Sequence, residues 1–210
     1  MMRQPYYKLI LWVLLLLANI GLAQAVEASN VEAPDVLVKN TTEKMLSALD
    51  KQSKALAEDP SLIYDLVSEI VLPHFDFIRM SRSVLAQNWK TASREQKLGF
   101  VRAFRTLMVR TYAVALLEYT DQKIHVLPTK LKVGDKNATV RMEVREEGKP
   151  PVMIKYRLRL KKKGWKVYDI AVDGISLTAN YRTSFASEIK QNGLDALIAR
   201  LEKHNQKADG

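Results

Sequence analysis

From Ala138 to Lys161 the chain keeps a period of two. In Ala138 to Arg145, Val140, Met142 and Val144 alternate with Arg141, Glu143 and Arg145. In Val152 to Lys161, Val152, Ile154, Tyr156, Leu158 and Leu160 alternate with Met153, Lys155, Arg157, Arg159 and Lys161. Successive side chains of a strand point to opposite faces, so these segments belong in an antiparallel sheet with one buried and one wet face. A helix would smear the same apolar residues around its circumference. Glu146 to Pro151 and Lys162 to Gly164 read as turns, Lys123 to Leu127 as a preceding strand, and Trp165 to Asp173 as a following one, ended by Asp173-Gly174. Four strands are expected.

Before this region the period is helical. Asp35 to Glu58 carries Leu37, Met45, Leu49 and Leu56 near helical spacing, and Asp59-Pro60 breaks it. Ser61 to Leu72 reads as a second helix ended by Pro73, and Phe75 to Leu85 as a short third. Ser93 with Gln96 forms a capping box that starts the strongest helix, whose apolar side runs from Leu98 to Tyr119. Beyond Thr111 that helix is apolar nearly all round, which predicts deep burial. Helices from Ser176 to about Lys190 and from Leu194 to His204 close the chain. Helices, a meander of strands, then helices make an α+β domain, and the twisted sheet is expected to wrap the long helix as a cone.

The N-terminus reads differently. Arg3 and Lys8 precede the aliphatic run Leu9 to Leu17, and Ala23-Gln24-Ala25 is an A-x-A cleavage pattern. That is the layout of a secretory signal peptide over residues 1–25, and the run is too short for the ~20 residues of a membrane span. Residues 26–210 then form a single domain, opening on a flexible lead from Val26 to Pro34. The formal net charge is +10; removing residues 1–25 takes two cations and no acid, leaving +8. A basic surface calls for an anionic partner, and export argues against nucleic acid. With no cysteine, disulfides and thiolate metal sites are excluded.

The catalytic inventory is thin. There are three histidines: His204 in the C-terminal tail, His125 in a strand, and His74 near Asp76. A His/Asp pair can serve acid–base chemistry, but a hydrogen-bonded loop is the simpler reading. Tyr168 and Asp169 could act as an isomerase pair inside an apolar cone; more commonly such an aspartate satisfies nearby donors. No nucleophile elbow, phosphate loop, dinucleotide fingerprint or metal-ligand spacing is present. Neither catalytic residues nor a metal or other cofactor are expected. The sheet is more informative. Its inner face is continuous apolar surface, and its outer face carries Arg141, Arg145, Lys155, Arg157, Arg159 and Lys161 with only Glu143 among them.

Three stretches carry a resemblance. The first is Val71-Leu72-Pro73-His74-Phe75-Asp76-Phe77, continuing through Met80-Ser81 to Val84-Leu85 and Trp89. The second is Glu95-Gln96, then Phe100, Phe104 and Leu107, then Thr111-Tyr112-Ala113. The third is Gly164-Trp165-Lys166-Val167-Tyr168-Asp169-Ile170, then Asp173-Gly174-Ile175-Ser176-Leu177 and Asn180-Tyr181-Arg182. In this order, behind a signal peptide, they resemble the MlaC family, also known as toluene-tolerance proteins. One departure is Ala86, where glycine is expected after Val84-Leu85.

The resemblance implies an NTF2-like cone and a periplasmic carrier whose cargo is a phospholipid. It further implies two partners, an outer-membrane lipoprotein–porin complex and an inner-membrane ABC transporter complex, between which lipid is shuttled to maintain outer-membrane asymmetry. Strand alternation and helix phase then nominate Leu107, Tyr112, Leu116, Val140, Met142, Val144, Ile154, Tyr156, Leu158, Ile170 and Val172 as lipid-binding residues. Two readings compete: a small-molecule enzyme on the same cone, and an adaptor with a filled core bound through its basic face. The N-terminal reading is directly testable. Edman sequencing of exported protein should begin at Val26, and a retained Met1 would overturn the cleavage.

Overall fold

The computed structural model describes residues 31–118 and 122–207. The expected signal peptide, most of the N-terminal lead, and Tyr119 at the end of the long helix lie outside the described residues.

Helix α1 (Pro34–Lys51) starts with proline at its first turn, where the missing N–H costs nothing. A single long helix to Glu58 was expected. Instead Gln52 breaks it, and a short α2 (Ser53–Glu58) follows. Every residue from Asp50 to Ala55 is exposed, so no packing holds the two halves in line. Helix α3 (Leu62–Ile70) leads into a 3₁₀ turn, Leu72–His74. Helix α4 (Phe77–Leu85) begins two residues later than expected because Phe75 bridges to Val167 and the Asp76 N–H donates to the Val167 carbonyl at 2.8 Å. Asp76 then caps α4 by accepting from the Arg79 N–H at 2.9 Å. A one-turn helix, α5 (Asn88–Thr91), carried no periodic signal.

Helix α6 (Arg94–Ala113) opens on the expected capping box. The Gln96 N–H donates to Ser93 Oγ at 3.1 Å, and the Ser93 N–H donates to Gln96 Oε1 at 2.9 Å. The helix tightens into a 3₁₀ turn at Val114–Leu116. Its end is not deeply buried: Tyr112 is 39% and Val114 44% exposed. That stretch is apolar because it borders a cavity and its rim rather than a filled core.

The sheet is an antiparallel meander in the order β1-β2-β3-β4-β5, made of Lys123–Leu127, Asn137–Arg145, Val152–Lys161, Gly164–Val172 and Ile175–Ser176. The α+β class holds with five strands in place of four. Asp173-Gly174 does not merely end β4. Both residues have positive φ (47° and 87°), and they turn the chain directly into β5, pairing Val172 with Ile175. Aspartate-glycine is the strongest short hairpin signal, but a two-residue strand is too short to show alternation. Helix α7 (Leu177–Lys207) is broken at Gly193 (φ 84°, ψ 167°), which separates the two expected helices.

Two apolar clusters hold these elements. One joins α4, α6 and α7 through Phe100, Phe104 and Phe185, all at most 4% exposed, with Tyr181 edge-on to Phe104 at 5.4 Å. The other joins α1 and α3 to the C-terminal end of α6 through Met45, Ile63, Leu66 and Ala113.

Ala86, the residue that departs from the expected glycine, sits at φ 49°, ψ −112° as the C-cap of α4. That backbone region favours glycine, and a Cβ there is strained. Ala86→Gly should therefore stabilise the fold by about 1 kcal/mol, raising the calorimetric midpoint by roughly 2–4 °C. An unchanged or lower midpoint would show that the turn carries no strain.

Candidate functional site: an apolar cavity between sheet and helices

Between the inner face of the sheet and helices α1, α3 and α6 lies a cavity of about 330 Å³. Helix α1 contributes Leu37, Val38, Thr41, Thr42, Met45 and Leu46, which recur at steps that keep one helical face on the space. Helix α6 and its end contribute Met108, Val109, Tyr112, Ala113 and Leu116. The sheet contributes Ile124, Met142, Ile154, Tyr156, Val167, Ile170 and Val172. Phe75 and Phe77 close one side, their rings stacked at 5.7 Å.

The lining carries no aspartate, glutamate, lysine or arginine, in a chain that is 27% charged. Its polar side chains are Thr41, Thr42, His74, Tyr112 and Tyr156. The Thr42 hydroxyl donates to the Val38 carbonyl at 2.8 Å, turning its polar end back on its own helix. Among the described residues the Tyr156 hydroxyl reaches only the Met142 sulfur, at 3.9 Å. Burial pushes its phenol up to about 12. The Tyr112 phenol is raised as well, by burial first and by a hydrogen bond with Tyr181 second. Both rings therefore stay neutral at physiological pH. The space can take a long apolar group and gives it almost nothing to hydrogen-bond.

Seven of the eleven nominated residues line this cavity: Tyr112, Leu116, Met142, Ile154, Tyr156, Ile170 and Val172. Four do not. Leu107 is buried in the cluster with Phe100 and Phe104 and does not reach the cavity. Val140 and Leu158 have the right strand parity but are 0% exposed, so they pack as core. Val144, between Ile124 and Val152 near the hairpin end of the sheet, is not on the cavity wall.

The fourth strand shows why alternation alone could not settle its phase. Leu158 pairs with Val167 and Arg157 with Asp169, so Tyr168 has no opposite number and forms a bulge. The extra residue flips the parity. Val167 before it and Ile170 after it consequently face the same cavity. Val167 and the whole α1 face were missed by sequence reasoning. The α1 periodicity was visible, but nothing local says whether a helical stripe meets a core or a void.

The residues weighed for acid–base work do not all lie on the cavity. His74 lines the cavity. Asp169 does not; it is 2% exposed, accepts from Thr178 Oγ1 at 2.8 Å and Ser176 Oγ at 2.8 Å, and pairs with Arg157 at 3.5 Å. It anchors the start of α7. The Tyr168 ring stacks under the Arg79 guanidinium at 4.5 Å, also outside the cavity. Among the described residues no group of three or more His, Asp or Glu could hold a metal ion, and no helix is long and apolar enough to cross a membrane.

Comparison with known proteins gives this cavity a context. An intermembrane phospholipid transport system binding protein from Haemophilus influenzae is 27% identical over 175 residues, covering 81% of each chain. A toluene tolerance protein from Pseudomonas putida, ttg2D, is 29% identical over 185 residues, covering 85% of this chain and 86% of its own. The phospholipid-binding protein of Ralstonia solanacearum, solved in complex with a phospholipid, superimposes with a TM-score of 0.77 at 28% identity, over 85% of this chain and 100% of that one. Residues 39–203, which include nearly the whole cavity wall, match the MlaC protein family, and to that family this chain belongs.

Proposed function

We propose that this protein carries a phospholipid by its acyl chains in the cavity between sheet and helices. Carriage takes place in the periplasm, between an outer-membrane lipoprotein–porin complex and an inner-membrane ABC transporter complex, and serves to maintain outer-membrane lipid asymmetry. The observation that carries the reading is the wall itself, which bounds a space of about 330 Å³ and has no acid, lysine or arginine on its lining. That volume is at the lower end of small-molecule sites. Names of relatives that bind or transport phospholipid support it.

The chemistry of the task follows from the solvent. Each buried CH₂ contributes roughly 0.8 kcal/mol, so one sixteen-carbon tail is worth about 12 kcal/mol gross. Water alone cannot extract such a chain from a bilayer. A carrier must offer matching apolar surface and leave the head group wet. Release then requires the two walls, α1 and the sheet, to part at a partner's surface. No bond is made or broken, and no catalytic group or cofactor is called on; the bound lipid is cargo.

Protein purified without detergent, extracted with organic solvent and analysed by mass spectrometry should yield near-stoichiometric phospholipid. Well-folded protein that is empty across several preparations would overturn the carrier reading. Ile154→Asp places a carboxylate on the cavity wall and should weaken lipid retention about a hundredfold, the ratio that roughly 3 kcal/mol of unpaired polar burial produces. Val140→Asp should instead unfold the protein, because Val140 is fully packed. Circular dichroism beside the lipid extract separates the two outcomes.

A further inference from the structure

The outer face of the sheet breaks a local rule of sheet design three times. Arg141 stands opposite Lys155, Arg159 opposite Lys166, and Lys123 opposite Arg145. Like charges directly opposite each other destabilise a strand pair. Two of these pairs are partly relieved: Arg145 bonds Glu143 at 2.9 Å, and Lys166 Nζ donates to the Pro73 carbonyl. Arg141 and Lys155 are exposed, and among the described residues no carboxylate lies within ion-pair distance of either one or of Arg159. Arg145, Arg157 and Lys161 on the same face pair with Glu143, Asp169 and Asp76, whereas the central Arg141, Lys155 and Arg159 are left complementary to something acidic outside the chain.

The shape of the face selects the partner. Neighbouring strands are turned by roughly 20–25° from one another, so a five-stranded sheet presents a saddle rather than a plane. A flat anionic bilayer could meet only two strands' cations at a time. An acidic protein surface can follow the twist. The chemistry agrees, because the planar guanidinium forks of Arg141 and Arg159 suit paired carboxylates. We infer that the outer sheet face, centred on Arg141 and Lys155, is the docking surface for an acidic protein surface. The inference deepens the carrier reading, on which it rests for the partners' location: that surface belongs to the membrane assemblies between which lipid moves. The face lies on the opposite side of the sheet from the cavity, so docking leaves the cargo covered.

The test uses the whole mature protein and washed membranes from the cells that make it. The protein should sediment with these membranes, lose most of its binding between 50 and about 200 mM salt, where screening tightens, and lose it when the membranes are first shaved with protease. Arg141→Glu and Lys155→Glu should each weaken binding at least tenfold. Lys155→Glu replaces a like-charge pair with an opposite one, so its thermal midpoint should equal or exceed that of the wild type, which a merely structural role would not combine with lost docking. Both variants should keep their co-purifying lipid. Wild-type-like binding by the variants, an absence of binding, or equal binding to protein-free phosphatidylglycerol vesicles would each overturn the docking surface. Empty protein would instead count against the carrier reading alone.

Discussion

An apolar space left unfilled is the constraint on which the rest of this structure depends. Side chains that border such a space lack the packing partners that a filled core would give them. The sheet and α1 cannot be held apart by one another. The packing that holds them lies elsewhere. Phe100, Phe104, Phe185 and Tyr181 fill the joint of α6 and α7, and Met45, Ile63 and Leu66 fix α1 against α3. These clusters border the space, and Met45, Met108 and Ala113 belong both to them and to its wall. On the proposed carrier reading, an apolar chain in this space would supply the missing contacts and stabilise the fold by binding it.

The same division explains the polar residues that looked suggestive. Asp169 is buried because three donors and Arg157 converge on it at the start of α7. Asp76 caps α4 and meets Lys161 at 2.8 Å. Both carboxylates tie helices to the end or edge of the sheet, outside the cavity. They keep the scaffold in register while the wall stays free of carboxylates, as an acyl chain requires.

Much of the fold was legible because its signals are local. The Ser93/Gln96 box, the alternation of β2 and β3, and the gap before Leu194 that separates the last two helices each act within a few residues. What was misread depended on distant neighbours. Helix α1 breaks at Gln52 for want of packing, α4 starts late because Phe75 bridges to Val167, and β5 exists only as the return of a two-residue turn. The site was legible in part for the same reason. Parity placed Met142, Ile154 and Tyr156 on the inner face, but parity also placed Val140 and Leu158 there, and these are packed solid.

The sequence by itself determined the order and type of the elements, the two faces of the sheet, the cationic character of the outer one and the family of the chain. Each of these follows from a period, a cap or a motif that a short stretch carries whole. Only the tertiary structure decided which apolar residues fill and which merely line, where the Tyr168 bulge flips the parity of β4, and that a face of α1 joins the wall. A cavity is the difference between the space the elements enclose and the volume their side chains fill, and no single residue or segment encodes that difference.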